Sequence, residues 1–265
     1  MNNEQKTFYS SSDEYFSTLY NQSSSYFLPY IDYVSLSAAH NCVLLDLGCG
    51  VGQSTELLRK VGYNVIGVDG CEKFITQAKI SFPQNKYFCC QAESLSFLDG
   101  SLDCVASYNT IEHFINLEKI MEEVIRVLKP GGLFIIHSPN LLSIQHQINA
   151  IKRFKGMTYD GKKNIFQLIV MALKNIIFLF IRRLSRRALI IYRKPSETFD
   201  FPDVDATWLM NPIDMRNLLK EYGFEILKYQ NIDSLSAPSF LKKIVSKVVP
   251  EQMGIIRIVA RKKAA

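Results

Sequence analysis

The sequence predicts an α/β fold in which helices cover both faces of a mostly parallel sheet. The stretch VLLDLGCGVG at residues 43–52 places an apolar run, typical of a buried parallel strand, before three closely spaced glycines and a helix-like segment. Strand-length apolar runs then alternate with helix-length segments up to residue 138, which implies right-handed crossovers between parallel strands. A last apolar run, GIIRIVA at 254–260, would complete a seven-stranded sheet. These observations predict a Rossmann-like, doubly wound fold in a single domain spanning residues 1–265.

Each element has its own signal in the sequence. Aromatic residues recur among polar ones between residues 12 and 37, which predicts that residues 1–40 form a helical cover on the side of the glycine-rich loop. Lys129-Pro130-Gly131-Gly132 should end a helix, because Pro cannot extend it and the glycines supply a turn. The predicted strands are 43–47, 64–68, 86–90, 103–107, 133–138, 224–231 and 254–260. The predicted core helices are 53–61, 71–81, 116–128 and 212–222.

Residues 141–210, after the fifth strand, form a helical insertion that is longer than a usual connection. Between Ile151 and Lys194 there are twelve Lys and Arg residues and one acid, a net charge of +11, whereas the rest of the chain carries −5. Within this segment the apolar run IFQLIVMALKNIIFLFI at 165–181 is followed at once by RRLSRR. The excess positive charge is therefore local and adjoins an apolar helix.

This insertion admits three interpretations. Asn175, Arg182 and Arg186 fall on nearly one face of a helix, so a helix in a membrane interface would point its arginines towards anionic head groups. A helical lid would instead pack its apolar face on the core and leave its bases solvated. A true transmembrane span is the third, although Gln167, Lys174 and Asn175 interrupt the run. The first interpretation predicts peripheral contact with an anionic membrane through residues 160–194.

The overall composition is that of a soluble enzyme, with 48% hydrophobic and 21% charged residues. The polar, acidic start MNNEQKTFYSSSDEYF does not resemble a secretory signal peptide. The six cysteines show neither a C-x-x-C pair nor metal-ligand spacing, so we expect reduced thiols, no metal site and a cytoplasmic location, at the inner face of the membrane if the insertion binds lipid. Because the basic segment is rich in aliphatic residues, nucleic acid is disfavoured as a partner.

The spacing of the glycines indicates which cofactor the first loop binds. Gly48, Gly50 and Gly52 do not match the dinucleotide pattern G-x-G-x-x-G, and no G-x-x-x-x-G-K-[ST] loop is present. Asp46, two residues before the first glycine, would repel a pyrophosphate but could help to hold a cation. Asp69, at the end of the second strand, stands where this fold places a carboxylate on ribose hydroxyls. An adenosine that carries an amino acid and a positive sulfonium fits these features.

At this point the sequence resembles the class I S-adenosylmethionine-dependent methyltransferases, over roughly residues 40–140. LLDLGCGVG is similar to their first motif, GVDG to their second, and CQAESLSFLDGSLDCVASYNTIEHF to their segment between the third and fourth strands. EEVIRVLKPGGLFIIHSPN is similar to their LKPGG turn and fifth strand. The resemblance implies S-adenosyl-L-methionine as cofactor. The binding residues it implies are Asp46, Gly48, Cys49, Gly50, Gly52, Asp69, Gly70, Gln91, Ala92, Glu93 and Asn109.

The resemblance also suggests an activity. His113 follows Glu112, like the EH pair of family members that methylate small hydroxylated acceptors, so His113 would act as a general base or, alternatively, only orient its loop. We expect methyl transfer to a small-molecule or lipid-linked acceptor, at a hydroxyl oxygen, as in ubiquinone-biosynthesis and surface-glycan enzymes. Gln91 departs from the Asp that the family usually places near the adenine. A rival hypothesis is a non-catalytic relative that docks on membranes or protein partners.

Overall fold

The computed structural model describes residues 3–152, 155–158, 161–192, 206–209, 211–232, 251 and 254–264. Its strands are β1 Val43–Leu47, β2 Asn64–Asp69, β3 Lys86–Cys89, β4 Leu102–Tyr108, β5 Leu128–Pro139, β6 Met157–Thr158, β7 Gly161–Lys162, β8 Ile191–Tyr192, β9 Trp208–Leu209, β10 Phe224–Ile232 and β11 Ile255–Lys262. Its helices are α1 Asn3–Ser11, α2 Asp13–Tyr20, α3 Ser24–Ser35, α4 Gln53–Lys60, α5 Glu72–Ser81, α6 Leu117–Val127, α7 Ile144–Lys152, α8 Ile165–Leu184 and α9 Pro212–Glu221, with a short 3-10 helix at Ile111–His113.

The main sheet has seven strands in the order β10-β11-β5-β4-β1-β2-β3. Strands β1 to β5 pair in parallel, whereas β11 runs antiparallel to both β5 and β10. This arrangement confirms the predicted fold class, including the late strand that completes the sheet. The order of the strands reverses at β1, between β2 and β4, and ligands of such sheets bind in the crevice beyond the carboxyl ends at that point.

The helices form where apolar residues recur at helical spacing behind a polar cap. In α6 the side chain of Asn116 accepts a hydrogen bond from the backbone of Lys119, and the buried residues behind it lie three or four positions apart. In α9 the side chain of Asn211 accepts from the backbone of Ile213 and Asp214. Two large clusters of buried apolar side chains cover the two faces of the sheet.

The KPGG turn differs from its prediction. Leu102 pairs with Leu128, and Cys104 then pairs with Leu133, so residues 129–132 form a bulge inside β5 rather than a turn before it. Gly131 adopts a φ of +78°, a left-handed backbone conformation that is unfavourable for residues other than glycine. Because β5 pairs with β4 both before and after the bulge, the strand begins at Leu128. Leu128 was predicted to be the last residue of the preceding helix.

The insertion contains α7, the β6–β7 pair, α8 and the β8–β9 pair, while parts of the predicted ranges 141–210 and 160–194 lie outside the described residues. Among the described residues, α8 is the one helix that is long and apolar enough to cross a bilayer. Only 17% of its most apolar stretch of 18 residues is buried inside the protein. Leu168 and Leu179 of α8 are buried, whereas most of its other apolar residues are exposed, and the choice between a lid and a membrane-interface helix stays a prediction. The expected outward orientation of the arginines is wrong at Arg182, which is buried and bonded to Asp214, while Arg186 is exposed as expected.

Candidate active site

The glycine-rich loop between β1 and α4 exposes backbone to an open cavity. Gly50 has a φ of +52°, and a Cβ added there would meet only Leu19 Cδ1, at 4.0 Å. Gly48 is different, because a Cβ on it would collide with the side chain of Thr110. Gly52 faces away from the cavity, since a Cβ there would lie 2.5 Å from the hydroxyl of Tyr87. Gly50 is therefore the glycine that lets a ligand approach the loop.

Asp69 lies at the end of β2 and is bound to this loop. Its carboxylate accepts hydrogen bonds from the backbone N–H of Gly50, at 3.0 Å, and of Cys71, at 2.9 Å. Burial raises the pKa of Asp69 to about 6, although the backbone donors act in the opposite direction. At neutral pH the group is thus a carboxylate that can accept further hydrogen bonds, as ribose hydroxyls would require.

Asp46 lies behind the loop rather than in the cavity. It is buried, and its carboxylate accepts from the hydroxyls of Ser54 at 2.6 Å and Thr55 at 2.7 Å, with Tyr30 at 3.4 Å. Burial raises the pKa of Asp46, and the three hydroxyl donors oppose this shift. Asp46 therefore ties the start of α4 to β1, and any effect on a ligand is electrostatic.

Two adjoining cavities follow the carboxyl ends of β1, β2 and β4. The larger has a volume of about 320 Å³ and the smaller about 60 Å³, and both are lined by Gly48, Asp69, Thr110 and His113. Of the predicted site residues, the larger also contains Cys49, Gly50 and Asn109, and the smaller also contains Gly70, Gln91, Ala92 and Glu93. The fold therefore gathers these predicted residues around one site and leaves out Asp46 and Gly52.

Helices α1 to α3 cover the larger cavity with aromatic side chains. Its lining includes Tyr9, Tyr15, Tyr26 and Phe27 from this N-terminal region. The side-chain amide of Gln53, at the start of α4, donates to the backbone carbonyls of Tyr20 and Gln22, which connects the cover to the glycine loop. The cover therefore forms an aromatic wall of this cavity.

Asn109 is held at the end of β4 by contacts on two sides. Its Oδ1 lies 3.1 Å from Nδ1 of His137, and its Nδ2 donates to the hydroxyl of Tyr26 at 2.9 Å. Burial and the charge of Arg257 lower the pKa of His137 to about 3, so the ring is neutral, and Nδ1 must carry the proton that Asn109 accepts. Asn109 has a φ of +46°, a conformation that non-glycine residues adopt infrequently. The network therefore fixes an amide at the cavity wall.

His113 lies where the two cavities meet, in the short 3-10 helix after β4. Its Nε2 is 3.6 Å from Oε1 of Glu112, and its side chain is largely buried. Glu112 is buried in turn and accepts a hydrogen bond from the hydroxyl of Ser138 at 3.1 Å. A carboxylate beside an imidazole favours the protonated ring, so the pair is suited to accept a proton from a substrate.

The electrostatic character of the site favours a cation over an anion. Among the described residues that line the two cavities there is no Lys or Arg, whereas Asp69 and Glu93 are present. Aromatic rings also attract cations. Cys49 adds no charge, because burial raises the pKa of its thiol well above the usual range. An elongated nucleoside with a sulfonium therefore fits the residues present, and a pyrophosphate does not.

Sequence reasoning missed some residues of the site. Thr110 lines both cavities, and its hydroxyl donates to the backbone carbonyls of Gly48, at 3.2 Å, and Tyr108, at 2.9 Å. Phe114 lines the smaller cavity. Their position beside Asn109 and His113, after the fourth strand, was the available signal. The sequence contains no signal for the contact between His137 and Asn109, because these residues lie 28 positions apart, on β5 and at the end of β4.

Comparison with known proteins supports the same interpretation. The family model described as a methyltransferase domain matches residues 45–136. The chain is 32% identical over 108 residues to a protein of Mycolicibacterium smegmatis named as a probable S-adenosylmethionine-dependent methyltransferase, covering 40% of this chain and 42% of that protein. It is 32% identical over 113 residues to a ubiquinone biosynthesis O-methyltransferase of Bartonella tribocorum, covering 41% and 46%. The chain thus spans less than half the length of these curated relatives.

A solved structure extends the likeness of fold beyond the matched segment. It is a 1,6-didemethyltoxoflavin-N1-methyltransferase of Burkholderia thailandensis with bound 1,6-didemethyltoxoflavin and S-adenosylhomocysteine. The TM-score is 0.58 at 12% identity, covering 98% of this chain and 88% of that one, which shows a shared fold. The family match, the relatives and the cation-compatible cavity agree. Over residues 45–136 the chain is therefore similar to S-adenosylmethionine-dependent methyltransferases, and beyond that segment it shares their fold.

Proposed function

We propose that this protein transfers a methyl group from S-adenosylmethionine to a hydroxyl oxygen of a small, lipophilic acceptor. The observation that carries the proposal is the pair of adjoining cavities, with Asp69 and His113 at their junction. The smaller cavity, beside Gln91 and Ala92, suits an adenine. The larger cavity, beside Asn109 and the aromatic cover, suits the methionine end and the acceptor.

The residues of the chain bind and align the two reactants. Asp69 would accept hydrogen bonds from the ribose hydroxyls, and Gly50 would let the loop backbone approach the ligand. Gln91 can act near the adenine through its amide, in place of the usual carboxylate. When bound, S-adenosylmethionine supplies a methyl group already activated on a positively charged sulfur, so alignment is the main task left to the protein. The aromatic cover and fixed Asn109 serve that alignment.

His113 would remove the proton of the acceptor hydroxyl. A neutral hydroxyl is a weak nucleophile, and a positioned base typically contributes 10²–10⁴-fold to such a reaction. His113 takes the proton, and the carboxylate of Glu112, 3.6 Å from Nε2 of the ring, stabilises the resulting imidazolium. In this scheme Glu112 is a positioning residue and His113 is the catalytic one.

The lipophilic acceptor is proposed from the lining and the relatives. Tyr9, Tyr15, Tyr26 and Phe27 provide an aromatic wall suited to a planar or apolar molecule. A relative is named as a ubiquinone biosynthesis O-methyltransferase, and quinone precursors are lipophilic phenols. A quinone precursor or a lipid-linked sugar would both offer the required hydroxyl. A cytoplasmic location is proposed as well, in keeping with the six free cysteines of the chain.

Transfer of a radiolabelled methyl group tests the proposal. The full chain is incubated with methyl-labelled S-adenosylmethionine and a lipid extract, and label is followed into the organic phase. We expect labelled product with the wild-type chain and about a 100-fold lower rate with His113→Ala. S-adenosylhomocysteine affinity should change less than about threefold, because transition-state rather than ground-state interactions are removed.

The matched control is His40→Ala, which removes an exposed histidine that stacks on Tyr63 outside the cavities. His40→Ala should retain wild-type transfer. Equal rates in His113→Ala and the wild type would overturn the role of the base. A wild-type chain that neither binds S-adenosylhomocysteine nor transfers label would favour the rival hypothesis of a non-catalytic docking protein.

A further inference from the structure

Helix α8 directs polar side chains towards the protein. Its buried residues are Leu168, Leu179 and Arg182. Nε of Arg182 donates to Oδ2 of Asp214 at 2.6 Å, and the two side chains are 4% and 0% exposed. Asn175, which lies on the same face of the helix as Arg182, is partly buried. A helix on the surface of a soluble protein normally orients such groups outward.

The opposite face of α8 is an exposed apolar stripe. Phe166 and Leu184, near its two ends, are 71% and 86% exposed. We define the apolar stripe as the large exposed hydrophobic residues of this face: Ile165, Phe166, Ile169, Leu173, Ile177, Phe180, Ile181 and Leu184. At 100° per residue these side chains project from one side of the helix, opposite Asn175. A continuous apolar surface of this kind marks an interaction site.

The helix is attached to the protein along its length, which decides its orientation in a membrane. In its first half, Met171 packs against the buried cluster that contains Leu141 and Leu142. In its second half, Arg182 is bonded to Asp214 of α9. A helix fixed to a folded body at both halves cannot be surrounded by lipid. It can present one face to the surface of a bilayer.

The charges around the apolar stripe select the partner. Lys174, Arg186 and Arg187 are exposed beside it or just beyond its end. Arg183 is bonded to Glu251, at 2.9 Å, and contributes less. The segment 151–194 as a whole carries +11, in a chain whose remainder is negative. Apolar residues flanked by bases complement acyl chains beneath anionic head groups.

We propose that α8 docks the protein on an anionic membrane surface, with the apolar stripe at the boundary between head groups and acyl chains. Lys174, Arg186 and Arg187 would contact lipid phosphates. In a cytoplasmic protein this surface is the inner face of the membrane. Docking of this kind is independent of catalysis and would hold even if the acceptor were water-soluble.

The insertion is also joined to the candidate catalytic loop. The backbone N–H of Thr207 donates to the carbonyl of Glu112 at 2.8 Å, and its hydroxyl donates to that of Phe114 at 2.7 Å. The loop that holds His113 is thus bonded to the same insertion that carries α8. If the proposed function holds, membrane docking would present the site to a lipophilic acceptor.

Vesicle flotation of the full chain tests the docking proposal. Wild-type protein is mixed with vesicles of phosphatidylcholine and phosphatidylglycerol, or of phosphatidylcholine alone. We expect flotation with the anionic vesicles, weakened by salt and by omission of phosphatidylglycerol. The variant Phe166→Ser/Ile177→Ser should bind at least about tenfold more weakly, because it removes two large apolar groups from the stripe.

The matched control is Ile80→Ser/Leu98→Ser, which removes two hydrophobic residues, 69% and 82% exposed, that lie outside α8. This control should float like the wild type. S-adenosylhomocysteine binding is measured in all three proteins, so that loss of docking is separated from loss of the cofactor site. Equal flotation of wild type and stripe variant would overturn the proposal. A dimer that the stripe variant abolishes, without vesicle binding by the wild type, would also overturn it and assign the stripe to a second copy.

Discussion

At the scale of single residues, Asp69 shows how burial and hydrogen bonding compete at one carboxyl group. Two backbone N–H groups stabilise its charged form, but burial outweighs them and places the pKa at about 6. An unperturbed aspartic acid titrates near 3.9. The group is therefore charged at neutral pH but becomes protonated under mildly acidic conditions that leave most carboxylates ionised.

This shift predicts a pH dependence of cofactor affinity. Ribose hydroxyls donate to a carboxylate, so protonation of Asp69 removes an acceptor. Affinity for S-adenosylhomocysteine should fall as the pH drops through about 6, approaching tenfold per pH unit, and stay constant above about 7. Calorimetric titrations from pH 5 to pH 8 measure it. Asp69→Asn should bind weakly and lose this dependence, while Glu72→Gln, an exposed control on α5, should retain it. Constant wild-type affinity across the range would contradict this role.

Where the signal was local, the sequence was sufficient to place residues at the carboxyl edge of the sheet, and their binding roles stay predictions. The glycine loop and Asp69 stand on consecutive elements, and both line the cavity. Asp46 belongs to the same local pattern, yet its carboxylate is occupied by Ser54 and Thr55. The sequence could not reveal this, because the motif places Asp46 near the end of β1 but does not show which groups its carboxylate contacts.

At the scale of elements, the buried Arg182–Asp214 pair joins α8 to α9. Burial raises the pKa of Asp214, and the nearby charge of Arg182 opposes that shift. Asp214 also accepts from the backbone N–H of Leu189 at 2.9 Å. A carboxylate with these contacts, deprived of its cation, would remain as an uncompensated buried charge.

Removal of this arginine should therefore destabilise the protein. Arg182→Met should lower the free energy of unfolding by about 3–5 kcal/mol, the typical cost of breaking a buried ion pair. Arg183→Met is the control, because its bond to Glu251 is partly exposed and worth about 0–1 kcal/mol. Urea denaturation followed by circular dichroism measures both. A loss below about 1 kcal/mol in Arg182→Met would show that the carboxyl group adapts without its partner.

Element boundaries were predictable where periodicity and capping agree. The strand at 43–47 was placed correctly, whereas KPGG was expected to be a turn and forms a bulge inside β5. The bulge forms because β5 pairs with β4 on both sides of KPGG, and the local sequence does not indicate this pairing. For α8 the sequence separated polar and apolar faces correctly. Which face meets the protein depends on Asp214, which is remote in sequence.

At the scale of the whole molecule, the position of β1 explains why the site forms where it does. Strands β2 and β4 flank β1, so the loops after these three strands diverge and leave a crevice. A hydrogen bond between Asn109 and Tyr26 closes one side of that crevice, although the two residues are 83 positions apart in the sequence. Ordered alternation of strands and helices made the fold predictable. Closure by the N-terminal helices depends on such long-range pairs, so only its general location was predictable.

We propose that the two adjoining cavities bind S-adenosylmethionine. A crystal structure of the full chain with S-adenosylhomocysteine tests it most directly. We expect the ribose hydroxyls within hydrogen-bond distance of the carboxylate of Asp69, the adenine beside Gln91 and Ala92, and the sulfur near Asn109 and His113. A ligand bound elsewhere, or cavities filled by the protein's own side chains in the presence of saturating ligand, would contradict the account.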